Sequence, residues 1–436
     1  MNNILIQGPT RLSGTVAIQG SKNASMKHIQ MALLVNDKFS LENIPDIGSN
    51  RKLLELVMLQ GASATWEGNT VNIDTTKVDK PQIIPAELFY YTSGAIFLIP
   101  ILAHRFGTCI LETLDTRDDT GGCQIGSREF SIITNTLKEL GINHTRENNQ
   151  YHFFVDSLAP FEYTVPVRSF SASVNSVIAA LFKKGTSKIS KITGEADFDD
   201  TIRMLMKMGA KIKQEGDILF ISGQQGLHGV QFFNMFDRHD FITFLSSALT
   251  TNSEITICNI DHEIMKLDAL DEVISQMGIQ LEYSANSCYV PSQLSTLKPV
   301  NIVAGLYPNF ITEWQVLFSP LLTQIKGDSK VVETVFANRM RHWEELGKMR
   351  ARYEFYTDSL YPEAGNNPRA VRVTGPVELR EASVKANDVR AGAALIIAGL
   401  AARGKTVVSN TEQIHRGYEH LVERLQLLGA DIKYIS

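Results

Sequence analysis

The sequence predicts an α/β fold of two similar domains, and three observations carry that prediction. First, one phrase recurs along the 436 residues: a helical stretch ends in Leu or Met, then Gly, then a small or aliphatic residue and an alternating strand. It reads LQGASATW at Gly61, LGINHT at Gly141, MGAKIK at Gly209, MGIQLEY at Gly278 and LGADIKYI at Gly429, with a worn copy, KMRARYEF, around Arg350. The glycine suits the left-handed position just past a helix C-terminus, and the alternation after it suits a half-exposed strand. Second, a short turn leads into another strand upstream of each copy: NDKFSLENI, FGTCILETL, KGTSKISKI, TNSEITICNI, KGDSKVVETV and RGKTVVSN. Third, six such units of roughly 70 residues account for nearly the whole chain and divide as three plus three.

Each unit keeps the same order of turn, strand, helix, capping glycine and strand. From turn to glycine five of the six span roughly 23 to 26 residues, whereas the unit from Gly107 to Gly141 spans about 34. Its extra residues lie in ETLDTRDDTGGCQIGSR, a polar stretch rich in Gly and Asp. A loop longer than its context needs is often functional.

Composition narrows the classes of function. With 44% apolar and 20% charged residues the chain can bury two cores, and a formal charge of -5 offers no polycationic surface for nucleic acid. An anionic ligand must therefore meet a local cluster of basic residues. The start, MNNILIQGPTRLSG, lacks the pattern of an export signal, and the longest apolar run, Gly94 to Ala103, is too short to span a bilayer. The expectation is a soluble, cytoplasmic protein with no membrane partner. Cys109, Cys123, Cys258 and Cys288 stand far apart without CxxC spacing, which speaks against a zinc site and a disulfide framework.

Candidate site residues follow from local chemistry. Gly121, Gly122 and Gly126 let the backbone around Cys123 bend and move as a lid with a reactive group must, and Arg117 or Arg128 would favour its thiolate. In GSKNAS, Ser21 or Asn23 caps the helical stretch MKHIQMALLV, and its N-terminal amides with Lys22 make a compact anion site. Lysine at the positive end of a helix dipole is disfavoured until an anion arrives. Arg390 in ANDVRAGAALIIAGL and Arg416 in IHRGYEHL are likewise read as opening helices, and the guanidinium fork suits carboxylate or phosphate. Glu313, in LYPNFITEWQVLF, stands in a first helical turn, either as a dipole partner or as a general base for a hydroxyl.

Taken in order, GPTRLSG, GSKNA, GGCQIGSR, ETVFANRM, NDVRAGAALIIAG and IHRGYEHL resemble the UDP-N-acetylglucosamine 1-carboxyvinyltransferase family of the enolpyruvyl transferase superfamily, from about Ile4 onward. The resemblance implies an inverted α/β barrel architecture. Each of two domains holds three βαβαββ-type units about a pseudo-threefold axis, with the active site in the cleft between them. It places one domain at 22–236 and the other at 1–21 with 237–436. The implied reaction joins the 3'-hydroxyl of UDP-N-acetylglucosamine to C2 of phosphoenolpyruvate, passes through a tetrahedral phospho-ketal and eliminates phosphate. That is the first committed step of peptidoglycan synthesis, and it needs neither metal nor organic cofactor.

The same resemblance assigns roles. Cys123 protonates or covalently holds the donor carbon and assists product release. Lys22, Arg128 and Arg416 grip its phosphate and carboxylate, with Arg390 in support. Asn23 contacts the sugar, Arg339 lies near the cleft, and Glu313 stands where the family has a catalytic Asp. Ser169, Phe170 and Ser171, with backbone near Val335 and Phe336, contact the nucleotide sugar.

Four departures shape the expected acceptor. The family's donor-binding Arg before Ile96 is absent from Tyr91, Thr92 and Ser93, and the Cys123 loop is about six residues longer, with Arg117 as a substitute cation. The uracil-cradling Arg-Pro-x-Asp stretch reads Arg128, Glu129, Phe130, Ser131. Glu313 is one methylene longer than Asp, and misplacing a catalytic group by about 1 Å costs on the order of a hundredfold. Alternative readings are a paralogue acting on another nucleotide or nucleoside, such as UMP, in specialised metabolism, or a nucleotide-sugar binding paralogue without turnover.

Overall fold

The five capping glycines take left-handed backbone, with φ of 100° at Gly61, 78° at Gly141, 104° at Gly209, 75° at Gly278 and 94° at Gly429. Arg350, in the worn copy, takes the same conformation at φ 70°. Each leads into a strand: Ser63–Glu67, Ile142–Glu147, Lys211–Glu215, Glu282–Tyr283, Tyr353–Tyr356 and Asp431–Ile435. The six upstream phrases are strands too, at Lys38–Glu42, Thr108–Glu112, Thr186–Ser190, Glu254–Cys258, Gly327–Glu333 and Gly404–Ser409.

The computed structural model describes residues 3–113, 130–336, 338–361 and 369–435. Six sheets result, and most repeat one connection. Strand Glu162–Thr164 crosses through a helix to the parallel strand Thr186–Ser190, which pairs antiparallel with Ile218–Ser222, itself antiparallel to Lys211–Glu215. A helix links parallel neighbours because a tight turn cannot reverse the chain twice. In the sheet of Thr108–Glu112 the first strand shrinks to a single bridge, Ile84 to Leu111.

The described residues form two compact units, one within 20–235 and one of 3–19 together with 236–435. Three sheets belong to each. Strand order explains the split: Asn3–Gly8 lies antiparallel between Gly404–Ser409 and Asp431–Ile435, and Ser13–Ala17 pairs parallel with Glu254–Cys258. Gln231–Phe233 returns to pair with Lys38–Glu42.

Inside each unit lie three inner helices: α1 (Lys22–Met31), α2 (Leu98–Phe106) and α3 (Phe170–Leu181) in the first, α4 (Arg238–Thr250), α5 (Thr312–Leu322) and α6 (Val389–Ala401) in the second. The sequence of α6, VRAGAALIIAGLA, is apolar on nearly every face, as an interior helix requires. All of α4 is buried, as is α6 from Val389 to Leu400, and α4, α5 and α6 pack on one another. Their first turns hold several of the candidate site residues.

Candidate active site

In the second unit the first turns of α4, α5 and α6 carry a linked set of charges. Asp237 caps α4 by accepting from the amides of His239 (2.8 Å) and Asp240 (3.3 Å), and Asp388 caps α6 by accepting from Arg390 (2.8 Å) and Ala391 (3.0 Å). Each cap meets amides that the helix leaves without partners. Arg339, buried, ties α5 to α6. Its Nη2 donates to Thr312 Oγ1 at 3.1 Å and lies 3.4 Å from Glu313 Oε1, and its Nη1 lies 3.9 Å from Asp388 Oδ1.

Glu313 sits in the first turn of α5, as the sequence places it, with its side chain 27% exposed. Burial opposes its ionisation, but Arg339, His239 and Arg390 overcome that and hold its carboxyl well below the usual carboxylate range. It is therefore an anion at neutral pH. Arg390, in the first turn of α6, is buried with its guanidinium 5.1 Å from the Tyr418 ring. Burial disfavours its charge, yet Tyr418, Asp237 and Glu313 more than offset this and raise it above its ordinary value. The Tyr418 hydroxyl also lies 2.8 Å from Thr243 Oγ1 of α4, so Arg390 is braced against α4.

Arg416 corrects one expectation. It follows the short helix Glu412–His415 as its C-terminal cap, and the next helix begins only at Leu421. Gly417 does not open a helix. Arg416 is buried, its Nη1 donating to Gln413 Oε1 at 2.9 Å. The following segment is fastened to the start of the chain: Gln19 donates to the Gly417 carbonyl (3.0 Å) and accepts from the Glu419 amide (2.7 Å), while Asp240 binds the Gln19 amide (2.9 Å) and Arg424.

Val335 and Phe336 form a turn organised from below. Their amides donate to Glu333 Oε1 at 2.8 and 3.0 Å, and burial raises the Glu333 pKa. Phe336 also lies under the Arg339 guanidinium at 5.1 Å.

In the first unit the first turns of α1 and α3 hold the other candidates. Ser21 caps α1, accepting from the Ala24 amide at 3.2 Å, and its hydroxyl donates to Asp197. Lys22 and Asn23 follow on the first turn, with Lys22 Nζ 3.5 Å from Asn23 Oδ1. Gly20 is sterically required, because a Cβ there would lie 1.8 Å from the Asn43 carbonyl oxygen. Ser169 caps α3, accepting from the Ala172 amide at 3.3 Å, and Phe170 and Ser171 open that helix. Just before them Val167 has φ 46° and Arg168 φ 51°. A β-branched residue in left-handed backbone is a genuine outlier, and such strain gathers at functional sites.

One residue the sequence reading passed over joins these turns. Lys27 is 6% exposed, its Nζ donates to the Asn23 carbonyl at 2.6 Å, and it lies 4.4 Å from the Phe170 ring centroid and 5.4 Å from that of Phe97. A lysine four positions after Asn23 within an apolar helix was the available signal. Asp237, Asp388 and Tyr418 were also missed, although an Asp two residues before a helical Arg is a legible cap.

Cys123, Arg117 and Arg128 lie outside the described residues. Among those described, no group of three or more His, Cys, Asp or Glu is arranged to hold a metal ion, and no helix is long and apolar enough to cross a membrane.

Six sheets in two units, most of them repeating one strand-helix-strand connection, are the architecture expected of an enolpyruvyl transferase, and the comparisons with known proteins show that class. The chain belongs to the EPSP synthase (3-phosphoshikimate 1-carboxyvinyltransferase) family, whose model matches residues 6–425. It is 33% identical over 446 residues, all of both chains, to UDP-N-acetylglucosamine 1-carboxyvinyltransferase 2 of Lactococcus lactis subsp. lactis. It is likewise 33% identical to the UDP-N-acetylglucosamine 1-carboxyvinyltransferase of Prosthecochloris aestuarii, covering 99% of this chain and 98% of that one. Among solved structures, the enolpyruvyl transferase NikO from Streptomyces tendae superposes with a TM-score of 0.87 at 22% identity, over 99% of this chain and 98% of the other. An EPSP synthase from Acinetobacter baumannii gives 0.73 at 14% identity over the full length of both. These two matches establish the fold.

Proposed function

We propose that the protein transfers the enolpyruvyl group of phosphoenolpyruvate to the 3'-hydroxyl of UDP-N-acetylglucosamine, releasing phosphate, in the cytoplasmic opening step of peptidoglycan synthesis. The observation that carries this reading is the ionised Glu313 held between Arg339 and Arg390. A carboxylate and buried guanidinium groups on adjoining helix termini suit a reaction in which a hydroxyl loses a proton while an anionic donor is held.

The sugar oxygen bonds to C2 of the donor as its proton passes to Glu313, and C3 gains a proton from the Cys123 thiol. The C2–O bond to phosphate then breaks, C3 returns a proton to the Cys123 thiolate, the enol ether forms, and the proton on Glu313 leaves with the phosphate or to water. Lys22, Arg128 and Arg416 take the donor's phosphate and carboxylate, with Arg390 in support. Asn23, Arg339, Ser169, Phe170, Ser171, Val335 and Phe336 serve the sugar nucleotide. A carboxylate held so acidic is a weak base, since proton transfer is most effective when the base titrates near the working pH. Donor anions drawn to Arg390 compete with Glu313 for its charge, which raises the Glu313 pKa and makes it a better base only once donor is bound.

A second reading, a different nucleotide or nucleoside acceptor such as UMP, is favoured by Ser131. It is exposed in the first turn of helix Phe130–Glu139, at the position where the resembled uracil-cradling stretch carries Asp, so a carboxylate contact to the base is replaced by a hydroxyl. Phosphate release from phosphoenolpyruvate, assayed with UDP-N-acetylglucosamine and UMP in parallel, separates the readings. Release with the nucleotide sugar is expected; release with UMP alone selects the second reading, and release with neither defeats both.

A further inference from the structure

The buried ammonium nitrogen of Lys27 is placed unlike an ordinary surface lysine. A helical side chain leans back toward the N-terminus of its helix. Lys27 accordingly carries its Nζ up to the first turn of α1, beside Lys22 and against the Asn23 carbonyl. Phe97 and Phe170 flank it from two neighbouring elements, the 3-10 turn Ser93–Phe97 and α3. The charged groups facing it are Lys22 on its own helix and Asp197 and Glu195 at the start of helix Ala196–Lys207. Asp197 is shared with the Ser21 hydroxyl.

We propose that Lys27 is a positioning residue of the donor site that takes up a proton when a phosphorylated carboxylic acid binds beside Lys22. The proposal rests on the reading of Lys22 and Asn23 as substrate contacts. With the site empty, a second ammonium next to Lys22, in an aromatic niche closed to water, is costly. Burial lowers the Lys27 pKa most, Lys22 lowers it further, and Asp197 and Glu195 restore part, leaving it at about 7. An arriving phosphate and carboxylate reverse the sign of the field, and the amine captures a proton from the buffer to become an ammonium. The two rings then face a full cation. Because the Nζ touches both the Asn23 turn and the Phe170 ring, its charge state is felt at the donor turn and at a proposed acceptor contact together.

The free group titrates at about 7 and the anion-bound group higher, so uptake is largest between those values. At lower pH both states are already protonated and uptake vanishes. Across the window the affinity for donor falls by up to about tenfold per pH unit.

Isothermal titration of phosphoenolpyruvate into the full chain, at about pH 7.5 in two buffers of unequal protonation enthalpy, counts the protons. The donor's own phosphate also exchanges protons, so the quantity read is the difference between wild type and Lys27→Met, which fills the same niche without titrating. Wild type should take up about three-quarters of a proton more than Lys27→Met, since about a quarter of the free amine is already protonated at that pH. The variant's affinity should also lose its extra pH dependence, and Lys27→Arg should bind tightly without the extra uptake. Equal proton counts in wild type and Lys27→Met, with donor bound by both, overturn the proposal and leave the enzymatic reading intact. If folded wild type binds no phosphoenolpyruvate with either acceptor present, that reading falls and this one with it.

Discussion

The Glu313 carboxylate shows how charge is arranged residue by residue. Three positive or polarisable neighbours hold it ionised, so neutralising it removes the acceptor for a hydroxyl proton and leaves Arg339 and Arg390 short of a counter-ion. Glu313→Gln is expected to lower kcat by on the order of a hundredfold or more, in the range of a positioned general base, while the donor KM changes little. Unchanged kcat would remove Glu313 from the chemistry. Tyr418→Phe tests the brace on Arg390: it keeps the ring under the guanidinium and deletes the hydroxyl that meets Thr243. A buried hydrogen bond of this kind is worth about 1 kcal/mol of folding stability, so the variant should unfold that much more easily, and the donor KM should rise as Arg390 loses its brace. Neither partner set was readable in the sequence, since Glu313 and Arg339 stand 26 positions apart and Thr243 and Tyr418 stand 175 apart. Only the cap of α1, whose partner lies three residues away, was read locally.

At the level of elements the repeat was legible because backbone geometry constrains it. Helix after helix ends on a residue with positive φ, and glycine meets that demand at five of the six positions. Arg350 meets it at a cost of roughly 1 kcal/mol, the penalty of left-handed backbone for a residue with a Cβ. Arg350→Gly is accordingly expected to raise the urea midpoint by an amount worth about 0.5 to 1 kcal/mol, less what the unfolded chain gains in freedom. A fall in the midpoint would show that the arginine side chain contributes more than its strain. Arg416 was misplaced for the converse reason. Gly417 resembles a helix opening on paper, whereas in the chain the turn Glu412–His415 has already ended and Leu421 starts the next. A glycine marks a break in helix without saying on which side the helix lies.

For the molecule as a whole, each unit holds a buried neutral histidine: His28 in the first and His342 in the second, both lowered to about 4 chiefly by burial. The folded value lies below the ordinary 6.5, so the unfolded chain binds more protons as pH falls. Their contribution is complete above 6.5 and is lost as pH drops toward 4, by up to about 1.4 kcal/mol per pH unit for each. Denaturant midpoints measured from pH 7 down to about 4.5 should decline in step; a flat profile would contradict the assignment. Strand Asn3–Gly8 carries a different consequence. It leaves the ribosome first among the described strands, yet its partners Gly404–Ser409 and Asp431–Ile435 are some four hundred residues behind it. Meanwhile the strands of the 20–235 unit, through Gln231–Phe233, are all synthesised before the second unit's own three-helix core begins at Arg238. Since domains tend to fold as they emerge, the nascent chain would carry one finished unit while strand Asn3–Gly8 is still unpaired, until Gly404–Ser409 and Asp431–Ile435 are made. A premature stop before Gly404 would strand that segment with no partner on either edge.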